Sequence, residues 1–307
     1  MNVRDLTLDR FADRLANAGL VIRSGPFVWR LSTTLSEIAA PLHLLYADFP
    51  LESAGILDFH VRLRPARGLR RWLRPQCEFL LDGWAPFPPF LRSMALPLVE
   101  WGLNWCIYTH ASQYLILHAA AVERHGRALV LPGRSGAGKS TLCAALVSRG
   151  WRLFSDELAL VRPRDGQLVP IARPVAAKNE SIDVIRRFAP NSVFGPTIKS
   201  ARKGYIAHLR PPNESVRRAD EPARPAWIIY PEYRRDSETR FSALAKSRAF
   251  FRAADNSANY RRLGEVGFRA LTRLMDTCDC YEFTYSSLDE AVTLLENLER
   301  QDLVVEA

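Results

Sequence analysis

Short runs of alternating apolar and polar residues occupy the first hundred positions and predict a small region of mixed α and β structure. Apolar residues at helical spacing predict one helix near residues 6–18 and another over residues 97–109. Strands are predicted at residues 27–31, 57–63 and 77–81, where apolar side chains alternate with polar ones or form short runs. A proline-rich turn, "WAPFPPF", follows the last of these strands.

Beyond residue 110 the pattern changes to longer apolar strands. Residues 115–245 predict strands around one helix. The C-terminal part predicts the helices "GFRALTRLM" and "SLDEAVTLLENLER" on either side of the strand "CYEFTYS". The chain is therefore predicted to be α/β, with a smaller α+β N-terminal domain at residues 1–110 and a larger domain at residues 111–307.

A glycine-rich loop follows the apolar strand predicted at residues 128–131. The segment is Gly133-Arg134-Ser135-Gly136-Ala137-Gly138-Lys139-Ser140, followed by Thr141. This is the full pattern of glycine, four residues and Gly-Lys-Ser that cradles nucleotide phosphates with inward backbone N–H groups. Lys139, in a loop expected to be exposed and outside the core, would place its charge on the phosphate oxygens, and the Ser140 hydroxyl can bind magnesium. We therefore predict ATP and Mg²⁺ as ligands.

An acidic pair follows the loop after one short helix. The segment "WRLFSDE" predicts a strand at residues 151–154 that ends in Asp156 and Glu157, and Asp156 comes seventeen residues after Lys139. This spacing predicts a return strand that brings Asp156 beside the phosphates, whereas nucleotide-driven motors place their second acidic motif later. Alternation of side chains along a strand favours only one of the two residues in the site, and we favour Asp156. A solvated turn residue or a helix cap is the alternative interpretation.

Composition and charge narrow the classes of partner. A chain of 307 residues with 48% hydrophobic and 24% charged residues is typical of a globular protein, and its net charge of +9 favours an anionic partner. The densest basic cluster is Arg62, Arg64, Arg67, Arg70, Arg71 and Arg74. We interpret it as a solvated loop around Pro65 and Gly68, with a docking surface for an acidic peptide or nucleic acid as the alternative. The sequence shows no nucleic-acid-binding motif, so no nucleic-acid partner is predicted.

The N-terminal segment and the apolar runs predict a cytoplasmic protein. The first residues, "MNVRDLTLDR", are charged and contain no apolar signal segment. No apolar run approaches the length of about 18 residues that a membrane-spanning helix requires, so no membrane partner is predicted.

The combination of His118, "GRSGAGKST" and "RGWRLFSDE" resembles the HPr serine kinase/phosphorylase family, and more closely its shorter relatives, the HPr-kinase-related kinases of type A. The segments "PVAAKNESIDVI", "KGYIAHLRPP", "WIIYPEY" and "YSSLDEAVTLLENL" are similar to that group as well, so the resemblance covers about residues 115–297. It implies a P-loop kinase domain of the HPr kinase/PEP carboxykinase-like type. It also implies ATP-dependent transfer of a phosphoryl group to a hydroxyl of a peptide or small protein, with serine the expected acceptor.

The resemblance also implies roles for individual residues. Lys139 would contact the phosphates, Ser140 would bind magnesium, Asp156 would accept the proton of the acceptor hydroxyl, and His118 would assist Asp156. A buried structural histidine is the alternative for His118, and Glu157 is a second candidate for magnesium.

Two departures from the family pattern limit what is carried over. The bifunctional members of the family have a glutamate where this chain has Thr141, so no metal role is carried over to that position. The region that those members use for dephosphorylation is not recognisable in this chain. We therefore expect kinase activity without the phosphorylase reaction.

Several alternatives stay open at the level of sequence. A non-catalytic ATP-binding regulator and a kinase of a small-molecule hydroxyl both fit the same loop. Lys178 and Glu180 lie where a segment could return to the site or form a lid or helix cap, and Lys203 fits either a phosphate contact or a solvated turn. A small homo-oligomer is expected from the family. The sequence does not identify the phosphoryl acceptor.

Overall fold

The computed structural model describes residues 1–52, 55–71, 73–201 and 203–306, without the side chains of Arg71 and residues 302–306. The backbone forms two compact units, each assembled from separate stretches of sequence. The first comprises Met1–Ala111, Pro170–Arg186 and Asn191–Glu221, and the second comprises Ser112–Val169, Arg187–Pro190 and the described residues from Pro222 onward. The two later stretches of the first unit fall inside the predicted domain 111–307, and the domain boundary itself stays a prediction.

The first 111 residues form a sheet with helices packed against it. The elements are α1 (Leu8–Ala16), β1 (Leu20–Ser24), β2 (Phe27–Thr33), α2 (Ala39–Leu45), β3 (Phe59–Pro65), β4 (Gln76–Leu81), β5 (Phe90–Leu91) and α3 (Ala95–His110). The strand order is β1-β2-β3-β4-β5, and β2 and β3 are parallel. In β3 the residues Phe59, Val61 and Leu63 are buried while His60 and Arg62 are exposed, because side chains alternate between the two faces of a strand. The predicted helices and strands of this region are confirmed, whereas β1 and α2 were not predicted.

The next stretch contains the glycine-rich loop. Its elements are β6 (Leu115–Arg124), β7 (Arg127–Pro132), α4 (Lys139–Ser148), β8 (Arg152–Ser155), β9 (Leu158–Val161) and β10 (Leu168–Val169). The predicted strand, helix and return strand around the loop are confirmed. All ten residues of β6 except His118 and Arg124 are buried, so this strand lies in the middle of the core.

Residues 170–221 complete the first unit, except for Arg187–Pro190, which belong to the second. Their elements are β11 (Val175–Lys178), α5 (Glu180–Phe188), β12 (Ile198–Ser200), β13 (Gly204–Leu209) and α6 (Asn213–Arg217). The strands form a small sheet with the order β11-β13-β12. Two contacts tie this stretch to the first 111 residues. The Arg173 guanidinium lies 3.7 Å from the Glu100 carboxylate, and the Ser24 hydroxyl donates to the Ala172 carbonyl at 3.3 Å. The prediction of one helix between residues 115 and 245 is wrong, because α5 and α6 form here in addition to α4.

The C-terminal stretch completes the second unit. Its elements are β14 (Arg224–Tyr233), β15 (Arg240–Ala243), α7 (Lys246–Asp255), α8 (Tyr260–Leu263), α9 (Glu265–Thr277), β16 (Asp279–Tyr285) and α10 (Leu288–Glu306). Within the described residues the main sheet has the order β10-β9-β6-β7-β14-β16-β15, and β8 also pairs with β6. β14 runs parallel to both β7 and β16. The protein is therefore a mixed α/β chain with several sheets.

His208 is a buried polar residue in the first unit. It lies on β13 and is 1% exposed. Within the described part of the chain, neither of its ring nitrogens has a hydrogen-bond partner. Burial, together with the nearby charges of Lys178 and Arg173, lowers the pKa of His208 from 6.5 to about 4. The sequence-based interpretation of His208 as a core or strand residue is confirmed.

This burial predicts a loss of stability on acidification. The unfolded chain takes up a proton near pH 6.5 and the folded chain only near pH 4, so the free energy of unfolding falls as the pH drops through that window. We expect a loss of roughly 1.5 kcal/mol between pH 6.5 and pH 5 from this residue alone, since one pKa unit corresponds to about 1.4 kcal/mol. Urea unfolding of His208→Leu should show a shallower pH slope than the wild type. His60→Leu, at an exposed position, is the control; equal slopes in all three proteins would contradict the prediction.

Candidate active site

The glycine-rich loop, residues 133–138, lies at one edge of the main sheet of the second unit. It directly follows β7, and because β7, β14 and β16 are parallel their carboxyl ends meet at this edge. The Tyr233 N–H group, at the end of β14, donates to the Ala137 carbonyl at 3.2 Å. The loop is thus attached to the strand beside it.

Two loop glycines have backbone angles that other residues rarely adopt. Gly136 has φ +86° and Gly138 has φ +91°. A Cβ atom on Gly138 would lie 2.5 Å from the Tyr285 hydroxyl oxygen and 3.1 Å from the Tyr233 Cβ, whereas a Cβ on Gly136 would meet open space. Tyr285 also donates a hydrogen bond to the Gly138 carbonyl at 3.3 Å.

This difference predicts unequal effects of alanine at the two positions. Both substitutions force an alanine into the left-handed region, at a cost of about 1 kcal/mol. Gly138→Ala adds overpacking against Tyr285, a buried ring, which costs roughly 1–3 kcal/mol more. Chemical unfolding should therefore rank the free energies of unfolding as wild type, then Gly136→Ala, then Gly138→Ala. Equal destabilisation by the two substitutions would show that the contact with Tyr285 is relieved at little cost.

Lys139 begins α4 and is buried rather than exposed. The residue is 7% exposed, and its ammonium group donates to the carbonyls of Gly133 at 2.6 Å and Arg134 at 3.0 Å. The exposure expected for the loop therefore does not extend to the Lys139 side chain. The loop curls back over the side chain, so the ammonium group lies inside the ring of backbone that the loop forms.

The donor groups at the start of α4 fit a phosphate-bearing ligand. The helix has Gly138 at its N-cap position, which offers no side chain to cap the first N–H groups. These N–H groups carry the positive end of the helix dipole. Ser140 and Thr141 are half-buried, and within the described residues no hydrogen bond is recorded for either hydroxyl. Backbone donors, an ammonium group and a hydroxyl are the set that binds phosphates together with magnesium.

The tip of the loop is more open. Arg134, Ser135 and Gly136 are exposed. The Arg134 guanidinium lies 3.5 Å from the Glu232 carboxylate, in a pair whose arginine side chain is 83% exposed. A solvated pair of this kind contributes little to stability, so Arg134 is able to exchange this partner for another anion.

Asp156 and Glu157 form the bend between β8 and β9. Ala119, on β6, connects this bend with the loop: it pairs with Pro132 at the end of β7, and its N–H group donates to the Glu157 carbonyl at 3.1 Å. The bend and the start of the loop are therefore two strand spacings apart, roughly 10 Å. The structure thus places Asp156 and the start of the loop on either side of Ala119, in the middle of β6.

The helix α4 also lies beside this bend. The Cys143 thiol lies 3.8 Å from the Ser155 carbonyl. Burial raises the pKa of Cys143, and the negative charge of nearby Asp156 raises it further. The second turn of the helix that begins with Lys139 therefore contacts the residue that precedes Asp156.

The argument that strand alternation separates Asp156 from Glu157 does not hold. Both residues lie in the bend rather than in a strand, and both are half-buried. The Ser155 hydroxyl accepts from the N–H groups of Glu157 at 3.2 Å and Leu158 at 2.9 Å, which fixes the backbone of the bend. The choice of Asp156 over Glu157 stays a prediction that depends on the family resemblance.

His118 lies on β6 next to Ala119. It is half-buried, pairs with Leu158 of β9, and donates its backbone N–H to the Asn256 carbonyl at 2.9 Å. Its strand precedes β7, which leads into the loop. This position is compatible with an assisting role and with a structural one, and the assisting role stays a prediction.

Sequence reasoning missed the residues at the ends of the neighbouring strands. Tyr233 and Tyr285 end β14 and β16, and their rings pack edge to face at 5.8 Å. They form the wall against which Gly138 lies. Both tyrosines lie in segments that the sequence marks as strands, "WIIYPEY" and "CYEFTYS". Their position beside the loop depends on the parallel alignment of these strands with β7, which the sequence does not reveal.

The weaker sequence candidates lie in the first unit. Ser181 binds both backbone groups of Lys178, accepting from its N–H at 2.7 Å and donating to its carbonyl at 2.6 Å. The Lys203 ammonium lies 4.1 Å from the centre of the Trp101 ring, a cation–π geometry. Glu180 begins α5. A role for Lys178, Glu180 or Lys203 at the loop stays a prediction.

Neither a metal-ligand cluster nor a membrane-spanning helix is present among the described residues. Residues 1–52, 55–71, 73–201 and 203–306 contain no cluster of three or more histidine, cysteine, aspartate or glutamate side chains able to hold a metal ion. Over the same ranges, no helix combines the length and apolar character needed to cross a membrane.

Comparison with known proteins finds local sequence similarity. The family model described as SynChlorMet cassette protein ScmC matches residues 95–178, which contain β6, β7, the glycine-rich loop, α4 and the acidic bend. An HPr kinase/phosphorylase from Prosthecochloris aestuarii (strain DSM 271 / SK 413) is 42% identical over 72 residues, which are 24% of this chain. The chain spans only 20% of that relative's length.

A solved structure shows a more distant likeness. The HPr(Ser) kinase/phosphatase from Coxiella burnetii aligns with 62% of this chain and 99% of its own, at 12% identity and a TM-score of 0.28. A likeness at this level does not define the fold. The chain is thus a mixed α/β protein with weak, local sequence similarity to an HPr kinase/phosphorylase and, over residues 95–178, to the ScmC family model.

Proposed function

We propose that this protein is an ATP-dependent kinase that transfers the γ-phosphoryl group to a hydroxyl, serine being the expected one, of a peptide or small protein. The observation that carries the proposal is the position of the glycine-rich loop and the acidic bend on either side of Ala119, which pairs with Pro132 before the loop and donates to the Glu157 carbonyl in the bend. The local similarity to an HPr kinase/phosphorylase supports the same reaction class. The HPr kinase-like fold and the match to kinases of type A are parts of this proposal.

In this proposal each group has one task. ATP with magnesium supplies the phosphoryl group and neutralises part of its charge. The loop N–H groups and the Lys139 ammonium hold the phosphates, and Ser140 offers a hydroxyl to the metal, with Glu157 as a second ligand. Phosphoryl transfer depends mainly on such positioning and charge neutralisation, because the protein forms no covalent bond itself.

The acceptor needs a base. A serine hydroxyl is a weak nucleophile, and a carboxylate close to it can orient it and take its proton as the bond to phosphorus forms. Asp156 is proposed as that base because it is half-buried and close to α4. His118, on the neighbouring strand, is proposed to position Asp156.

The test is transfer of label from γ-labelled ATP to a library of peptides that each carry one serine, threonine or tyrosine. We expect transfer to serine peptides, accompanied by an equal amount of ADP. A phosphoserine peptide product should not be dephosphorylated when phosphate is added, since no phosphorylase activity is proposed. One bound ATP per chain with neither ADP formation nor transfer, in the library and in cell extract, would instead support a non-catalytic regulator. Transfer only to small molecules would support the third candidate function.

Assembly and location are parts of the same proposal. The kinase would act in the cytoplasm as a small homo-oligomer. Light scattering at high protein concentration measures the assembly directly, and a strict monomer would remove this part of the proposal without affecting the reaction.

A further inference from the structure

A basic cleft lies on the outer face of the N-terminal sheet. It has a volume of about 470 Å³ and is lined, among others, by Arg30, His60, Arg62, Leu80 and Asp82. This volume falls in the range of about 300–1,000 Å³ that is typical of ligand sites. All of these residues belong to the first unit, whereas the glycine-rich loop belongs to the second.

The register of the strands places the basic groups side by side. Arg30 on β2 is the direct partner of His60 on β3, and Ser32 is the direct partner of Arg62. Leu80 on β4 is opposite Arg62 and provides an apolar floor. The basic cluster from Arg62 to Arg74 therefore begins inside the strand β3. The interpretation of this cluster as a solvated loop is wrong for Arg62 and Arg64.

The charges of the cleft are not balanced. Arg64 is paired with Glu78, with 2.9 Å between its Nε and the carboxylate. Among the described residues, Arg30, His60 and Arg62 form no ion pair, and Asp82 is the acidic side chain of the lining. Arg30 and Arg62 are diagonal neighbours on this sheet face, and like charges at such positions repel each other, so the folded protein gains no stability from this pair. An anionic partner would relieve the repulsion.

The aliphatic stem of Arg30 lies against Gly19. A Cβ atom on Gly19 would lie 2.9 Å from the Arg30 Cγ, so the absence of a side chain at Gly19 leaves room for that stem. Gly19 has φ +78°, which a glycine adopts without strain.

We propose that this basic cleft binds an acidic segment of a protein partner, through carboxylates that pair with Arg30 and Arg62. Single-stranded nucleic acids bind to basic grooves through stacking on aromatic rings as well, and the described lining of this cleft contains no phenylalanine, tyrosine or tryptophan. The Asp82 carboxylate would also repel the closely spaced phosphates of a nucleic acid, whereas a peptide can place its few carboxylates away from Asp82. The proposal does not depend on nucleotide binding.

The test uses the full-length protein and a fluorescein-labelled short peptide of alternating glutamate and glycine, measured by fluorescence anisotropy. The double variant Arg30→Ala/Arg62→Ala should bind this peptide at least about tenfold more weakly, as expected for the loss of charge-assisted pairs. Arg14→Ala is the matched control, because Arg14 is an exposed arginine on α1 with no ion pair among the described residues. Lys139→Ala should leave peptide binding unchanged, which separates this proposal from the kinase proposal.

Each of the following outcomes would overturn the inference. The first is that the wild type does not bind the peptide at low ionic strength. The second is that the double variant binds as tightly as the wild type, or that Arg14→Ala weakens binding equally. The third is that an oligothymidylate of matched net charge binds more tightly than the peptide, which would assign the cleft to nucleic acid. Thermal unfolding of each variant confirms that the comparison is made between folded proteins.

Discussion

Asp156→Asn is expected to lower the rate of phosphoryl transfer by about a hundredfold to ten-thousandfold while ATP affinity stays nearly constant. Asparagine keeps the size and the hydrogen bonds of aspartate but cannot accept a proton. Asp156 lies in the bend beside Ala119 and close to α4, so the change removes the proposed base and leaves the loop intact. The measurement is label transfer to a verified serine peptide, with calorimetric titration of ATP in parallel.

Matched variants make this prediction specific. Asp276→Asn, at an exposed position near the end of α9, should have wild-type activity. His118→Ala should reduce transfer less than Asp156→Asn does and should also change its dependence on pH. If Asp156→Asn transfers phosphate at the wild-type rate, Glu157 becomes the candidate base. If Asp156→Asn loses ATP binding instead, the carboxylate acts mainly through magnesium.

Lys139→Ala is expected to weaken ATP binding by about a hundredfold or more, since hydrogen bonds from a charged group to phosphate are among the strongest in proteins. The structure adds a second effect. The ammonium group also binds the carbonyls of Gly133 and Arg134, so its removal frees the loop and should lower the thermal stability of the second unit.

Lys139→Met separates the two effects. Methionine replaces the buried aliphatic stem but not the ammonium group. Both variants should lose ATP affinity, and the methionine variant should be the more stable of the two. Calorimetry and thermal unfolding measure these quantities. Wild-type affinity together with wild-type turnover in both variants would exclude the glycine-rich loop as the nucleotide site.

The local elements near the loop were predictable because they depend on short-range patterns. The pattern of an apolar strand, spaced glycines and a helix lies within one short segment of sequence. The elements β7, α4 and β8 follow that pattern. The helix α3 was predictable for the same reason, since its apolar residues recur at helical spacing.

Long-range pairing explains what the sequence did not reveal. The parallel alignment of β7, β14 and β16 joins segments about a hundred residues apart and places Tyr233 and Tyr285 at the loop, and no local pattern encodes this alignment. The burial of Lys139 likewise follows from the path of the loop backbone and not from residue type. The short strands β11 and β12 belong to a sheet completed by β13, which is far from β11 in sequence.

The interleaved order of the two units has a consequence for synthesis on the ribosome. Domains usually fold one after another as the N-terminal part of a chain emerges. Here Arg173, which pairs with Glu100, and Ala172, which pairs with Ser24, emerge only after the whole stretch Ser112–Val169 that contains the glycine-rich loop. A nascent chain ending at Ala111 therefore lacks part of its own unit, so the loop region is made before the first unit is complete and neither unit can finish folding in strict vectorial order.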